Sequence, residues 1–139
     1  MRRLTCSLVI LAILLPVGTG CAKLSVTEGE CGIDNPYDPH RSTKSPVVSG
    51  DAKVRFGCNV RIQQATAVIE VRNAQGYTVG KNQRVVAPVI ANKEYTVMAV
   101  FPCVNGEYKA YARLYTTDML GNKAESRVAE GQWVSITNC

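Results

Sequence analysis

Cysteine is the residue type in this chain whose spacing promises chemistry. Cys31, Cys58, Cys103 and Cys139 are spread through the sequence, and thiols dispersed in this way through a small domain oxidise in pairs once the chain leaves the reducing cytosol. Four thiols allow three pairings. Cys58 and Cys103 each fall on the apolar phase of an alternating stretch, which favours joining them and leaving Cys31 to Cys139. The rival arrangement joins Cys31 to Cys58 and Cys103 to Cys139. By loop-closure entropy, bridges over loops this long contribute roughly 3 to 4.5 kcal/mol each. A nucleophilic thiolate is the competing reading, and it needs a base. His40 is the one histidine of the chain, and no acid–base pair or triad stands out beside it, so no catalytic residue and no cofactor site is assigned.

Asp34, Asp38 and His40 crowd a short stretch as metal ligands do, but Pro36 and Pro39 between them read as turn formers, so no metal site is assigned. Gly76-Tyr77-Thr78-Val79-Gly80-Lys81 has the glycines of a phosphate loop without its spacing, its following Ser or Thr, or a helix to open.

A binding surface is the remaining chemistry. In the stretch from Tyr108, Ala110, Ala112 and Leu114 share one phase, while Lys109, Tyr111, Arg113 and Tyr115 share the other. With Trp133 on a neighbouring last strand, Tyr111, Arg113, Tyr115 and Trp133 are expected on one exposed face, joined by Glu70 and Arg72. Exposed Tyr, Trp and Arg concentrate energy at interfaces; the plainer reading is cross-strand packing that stabilises the sheet. The expected partner is an unknown protein or a cell-envelope polymer. The second reading is an extracellular protease inhibitor or immunity-type protein that uses the stretch Lys81 to Lys93, with Arg84 and Pro88, as a plug.

The elements that would carry these residues read as short strands. Val54, Phe56, Cys58, Val60 and Ile62 alternate with polar neighbours, as do Ala67, Ile69 and Val71, and Tyr95, Val97, Ala99, Phe101 and Cys103. Asn73-Ala74-Gln75-Gly76 reads as a hairpin turn and Asn105-Gly106 as a strand end. Val85 to Ile90 contains Pro88 and is expected at an edge, and a last strand is expected over Gln132 to Thr137. About seven short strands with turns between them, and no long helical periodicity, predict an all-β chain: an immunoglobulin-like two-sheet antiparallel β-sandwich with two disulfides.

Residues 1–22 read as a signal peptide: Arg2-Arg3, an apolar run from Leu4 to Leu15, then small residues up to Ala22. The run is shorter than the roughly 20 residues of a membrane span. Cys21 sits where a bacterial lipoprotein carries its acylated cysteine, so the chain is expected to be secreted or, alternatively, lipid-anchored through Cys21, its sole route to a membrane. Residues 23–49, rich in Asp, Asn, Pro and Ser, are expected as an irregular lead-in with at most one edge strand, near Val47-Val48, and 50–139 as the sandwich domain. The chain carries 16 basic and 11 acidic residues, a net charge of +5, and loss of Arg2 and Arg3 leaves +3. A surplus that small, dispersed singly, argues against nucleic acid as a partner.

Cys31 with Asn35-Pro36 and Pro39-His40-x-Ser42, then Cys58, then Cys103-x-Asn105-Gly106-x-Tyr108, then Val134-x-Ile136 and Cys139 resemble small secreted, cysteine-bridged proteins of actinobacteria and related Gram-positive bacteria. The resemblance implies an immunoglobulin-like sandwich outside the cell and carries no catalytic residue. Where those proteins often place an aromatic residue in a hairpin, Tyr77 stands here. Ile69 and Val71 occupy the neighbourhood where antibody domains carry a core Trp.

Overall fold

The computed structural model describes residues 21–27, 29–43 and 48–139; residues 1–20 of the leader expected over 1–22, with Cys6, and the edge residue Val47 lie outside them. Eleven strands follow one another: β1 (Ala22–Val26), β2 (Gly29–Ile33), β3 (His40–Arg41), β4 (Ser49–Cys58), β5 (Gln64–Asn73), β6 (Thr78–Val86), β7 (Glu94–Pro102), β8 (Gly106–Thr117), β9 (Lys123–Glu125), β10 (Ala129–Glu130) and β11 (Val134–Ile136). Every pairing is antiparallel.

They form two sheets. In the first, β4 pairs with β7 along one side and with β2 and then β3 along the other, and β1 closes the edge beyond β2. In the second, β5 lies between β6 and β8, and the far side of β8 takes β11, β10 and β9 in turn. In immunoglobulin lettering the first sheet is A, B, E and the second C′, C, F, G, with the G position shared by three short pieces. The alternation seen in the sequence is what makes the two layers close. Ala52, Val54 and Phe56 point in while Lys53 points out; Ala67, Ile69 and Val71 face Ala110, Ala112 and Leu114 across the second sheet. Phe56 stacks on Tyr95 with ring centres 5.7 Å apart, and Phe101 tilts onto Tyr108 at 4.9 Å.

Tyr108 also forms a tyrosine corner. Its hydroxyl donates to the Val104 carbonyl four residues upstream, at the start of the F strand. Ala110, two residues on, stands where antibody domains carry their second bridging cysteine, so the sheets of this chain are not stitched through the core.

The crosslinks are therefore elsewhere, and they correct the favoured pairing. Cys31 is bonded to Cys58 and Cys103 to Cys139. Cys31 and Cys58 stand opposite one another on β2 and β4 with Cα atoms 4.0 Å apart. Cys58 and Cys103 do share the apolar phase, but the β4–β7 register sets Gly57 against Glu94 and Ser49 against Pro102. They sit at opposite ends of the sheet, about 30 Å apart at the usual rise per residue, and a bridge needs Cα atoms within ~7 Å.

Residues 23–49 are also less irregular than expected. Ala22, Leu24, Cys31 and Ile33 are buried, which docks β1 and β2 onto the sheet. Beyond them Asp34 N–H donates to the Arg55 carbonyl and Tyr37 N–H to that of Lys53, so the Pro-rich stretch runs along β4 in place of a longer strand. At the other edge, Pro88 follows a cis peptide bond and ends β6. The last strand is three residues long, Val134–Ile136.

Candidate functional site

The outer face of the second sheet has its residues set by register. Reading from β6 across β5 to β8, one row is Gln83, Val68, Arg113; the next is Lys81, Glu70, Tyr111, continuing to Glu130 on β10; the next is Thr78, Arg72, Lys109. These are the wet phases of strands whose other phases fill the core, so the sequence pattern that buries Ala110 and Ala112 necessarily presents Lys109 and Tyr111 outward.

Within those rows charge and ring alternate. Arg72 Nε donates to Glu70 Oε1 at 2.6 Å, and Thr78 Oγ1 donates to the same oxygen at 2.5 Å. The Arg72 hydrogen bond, helped by Thr78, holds the Glu70 carboxyl below its usual pKa against the opposing effect of burial, and Glu70 in turn raises Arg72. Arg72 lies 4.5 Å from the centre of the Tyr111 ring. Lys109 Nζ is 5.2 Å from the same ring, 6.0 Å from the Trp133 ring and 3.0 Å from Glu130 Oε2. Cations at such distances over aromatic faces each contribute roughly 0.5 to 1 kcal/mol at exposed positions.

The four residues named from sequence therefore fall into two groups. Tyr111, half-buried, and Trp133, 48% exposed, are joined through Lys109. Trp133 is not in a strand but in the short link between β10 and β11. Arg113 and Tyr115 stand further along β8: Arg113 Nη1 is 4.0 Å from Glu125 Oε2, and Tyr115 borders an open hollow of about 390 Å³ shared with Gln64, Thr66, Thr117, Lys123 and Glu125. Lys109, the link in the first group, was on the outward phase from the start, but only the path of the chain between β10 and β11 shows that it lies under Trp133.

The other candidates find different partners. Asp34 Oδ2 is 2.9 Å from Arg55 Nη2; burial lifts its carboxyl above the usual value and Arg55 offsets part of that rise. His40 Nε2 lies 3.0 Å from Asp51 Oδ1 and its Nδ1 3.1 Å from the Asp38 carbonyl. Both ring nitrogens are thus engaged, which leaves neither to activate a hydroxyl. Gly76, at φ 82°, closes the β5–β6 turn. Of the stretch offered as an inhibitory plug, Lys81 to Val86 is paired strand, and Arg84 Nη1 donates to the Thr96 carbonyl at 2.8 Å. The remainder is pinned by Val89 N–H to the Ile62 carbonyl and Asn92 N–H to that of Cys58. Cys21 opens the described chain, its carbonyl accepting from Arg127 Nη2 at 3.2 Å.

No model of a known protein family matches this chain, and no curated protein matches it either.

Proposed function

We propose that this chain is an exported, non-enzymatic sandwich that acts by binding, with a protein or a cell-envelope polymer as partner and the outer face of the second sheet as the contact. The observation that carries the reading is Trp133: a large ring, 48% exposed, held over Lys109 in line with Tyr111 and Arg72. A ring already held against its neighbours costs little ordering entropy on contact, and Trp, Tyr and Arg are the residue types that dominate interface energetics. Resemblance to small secreted actinobacterial sandwiches agrees with this reading, and the two disulfides agree with an oxidising compartment.

Export has two forms in this proposal, secretion and tethering by a lipid on Cys21. Ala22 is fully buried in β1 opposite Ile33, which favours processing that retains it over cleavage behind it. The intact mass of the exported product distinguishes the two: a chain beginning at acylated Cys21, or one beginning at Lys23.

The binding reading is tested by immobilising the oxidised protein and passing culture fluid and envelope extracts over it. Trp133→Ala is expected to reduce capture about ten-fold while moving stability by less than about 1 kcal/mol. Unchanged capture, or a stability loss above about 2 kcal/mol, assigns Trp133 to packing and removes the proposal.

A further inference from the structure

The hollow beside Tyr115 is built by strand register. Tyr115 stands between Thr66 on β5 and Glu125 on β9, and in the next row of the same face Thr117 stands between Gln64 and Lys123. The two short threonines therefore form a floor, and the longer Gln64, Tyr115, Lys123 and Glu125 form a rim around it. The space between them, open to solvent, is about 390 Å³, within the roughly 300 to 1,000 Å³ of small-ligand sites.

The polar groups here behave differently from those further along the face. Around Tyr111 the side chains satisfy one another: Arg72 and Thr78 donate to Glu70, and Lys109 donates to Glu130. Around the hollow they do not. Among the described residues, no hydrogen bond, ion pair or ring contact engages the side chain of Gln64, Thr66, Tyr115, Thr117 or Lys123, and Glu125 has only the 4.0 Å approach of Arg113 Nη1. The main chain beneath is closed, because β8 pairs with β5 on one side and with β9 on the other. A peptide thus finds no strand edge to join, and an occupant meets side chains alone.

The chemistry of the lining selects that occupant. An apolar molecule would strip water from the Gln64 amide and the two threonine hydroxyls and return no hydrogen bond. An anion would face Glu125 and a cation would face Lys123; these two charges oppose each other within the lining, and Arg113 outside it leans on Glu125. An uncharged molecule with hydroxyls around its edge and a C–H face for the Tyr115 ring, which is 40% exposed, satisfies every group, since the electron-rich face of an aromatic ring attracts C–H groups. A sugar ring has that form. We propose that the hollow is a subsite for one uncharged pyranose unit of a glycan, stacked on Tyr115 with its hydroxyls bonded to Gln64, Thr66 and Thr117. This deepens the proposed function, resting on its reading of this face as the contact, and makes a glycan the partner.

The test is a titration of the isotope-labelled, oxidised protein with uncharged tetrasaccharides of glucose, mannose, galactose and N-acetylglucosamine, followed by amide NMR shifts. At least one sugar is expected to move the amides of residues 64–66, 115–117 and 123–125 together and saturably. Tyr115→Ala is expected to weaken that binding about ten-fold. Thr117→Val removes a hydroxyl but keeps a branched strand residue, so it is expected to weaken binding about five-fold with the melting temperature kept. Trp133→Ala should leave the titration unchanged, because its ring belongs to the other group. No saturable shift with any of the sugars, shifts confined to other residues, or binding that survives both hollow variants overturns the proposal. The two readings fail separately. If Trp133→Ala loses envelope capture while no tetrasaccharide binds, the face stands and the subsite falls; if a tetrasaccharide binds at the hollow while Trp133→Ala captures as before, the subsite stands and the Trp133 group falls away.

Discussion

Asp118 shows how one side chain can define a loop. It is buried, and it accepts from the Thr27 hydroxyl, two backbone N–H groups and the Asn122 side-chain amide. Those donors, the Thr27 hydroxyl foremost, hold its pKa at about 2, below the ~3.9 of an unfolded aspartate. A carboxyl lowered on folding contributes stability at pH values above its unfolded pKa and loses that contribution as pH falls through its folded one. Stability is therefore expected to decline from about pH 4 to about pH 2, and Asp118→Asn to flatten that stretch; urea midpoints of both proteins across the range measure it. An Asp118→Asn curve as steep as the parent's places the acid sensitivity elsewhere. This brace was not legible in the sequence, because Asp118-Met119-Leu120-Gly121-Asn122 reads simply as a turn and Thr27 is remote in the chain. The inward and outward phases of β8 were legible, since Ala110, Ala112 and Leu114 leave Lys109, Tyr111, Arg113 and Tyr115 no other side.

At the scale of strands, β4, β5, β7 and β8 follow from alternation alone. β1 and β2 do not: each is only five residues long, and β2 runs directly into an Asp-, Asn- and Pro-rich stretch, whose backbone follows β4 without forming a full ladder. Without β2 the Cys31–Cys58 bridge stands in the sequence only as the rival pairing; it forms because β2 and β4 are neighbours. The sandwich is then closed on its other side by β6 folding over β7. Asn82 Nδ2 donates to the Met98 carbonyl and Arg84 Nη1 to the Thr96 carbonyl, both at 2.8 Å, so side chains of one edge cap the open carbonyls of the other and remove a pairing template. The approach is close: a Cβ on Gly80 would lie 2.7 Å from the Val100 carbonyl oxygen. Gly80→Ala is expected to destabilise the protein by about 1 to 3 kcal/mol, as overpacking does, read from urea denaturation. No loss would mean that the two edges are free to part.

For the molecule as a whole, the crosslinks lie at the two ends and leave the core to packing. Cys31–Cys58 holds the first hairpin to the first sheet at one end, and Cys103–Cys139 ties the chain terminus to the far end, where Cys139 N–H also donates to Asn105 Oδ1 at 2.9 Å. With sequence separations of 27 and 36, each bridge contributes roughly 3 to 4 kcal/mol by loop-closure entropy, comparable with the net stability of a small domain. The platform proposed for binding depends on that rigidity, and through it on a compartment that oxidises thiols. Peptide mapping of the native protein under non-reducing conditions tests this most directly. The account predicts two crosslinked species, one joining Cys31 to Cys58 and one joining Cys103 to Cys139, whereas four unoxidised thiols, or a peptide joining Cys58 to Cys103, would contradict it.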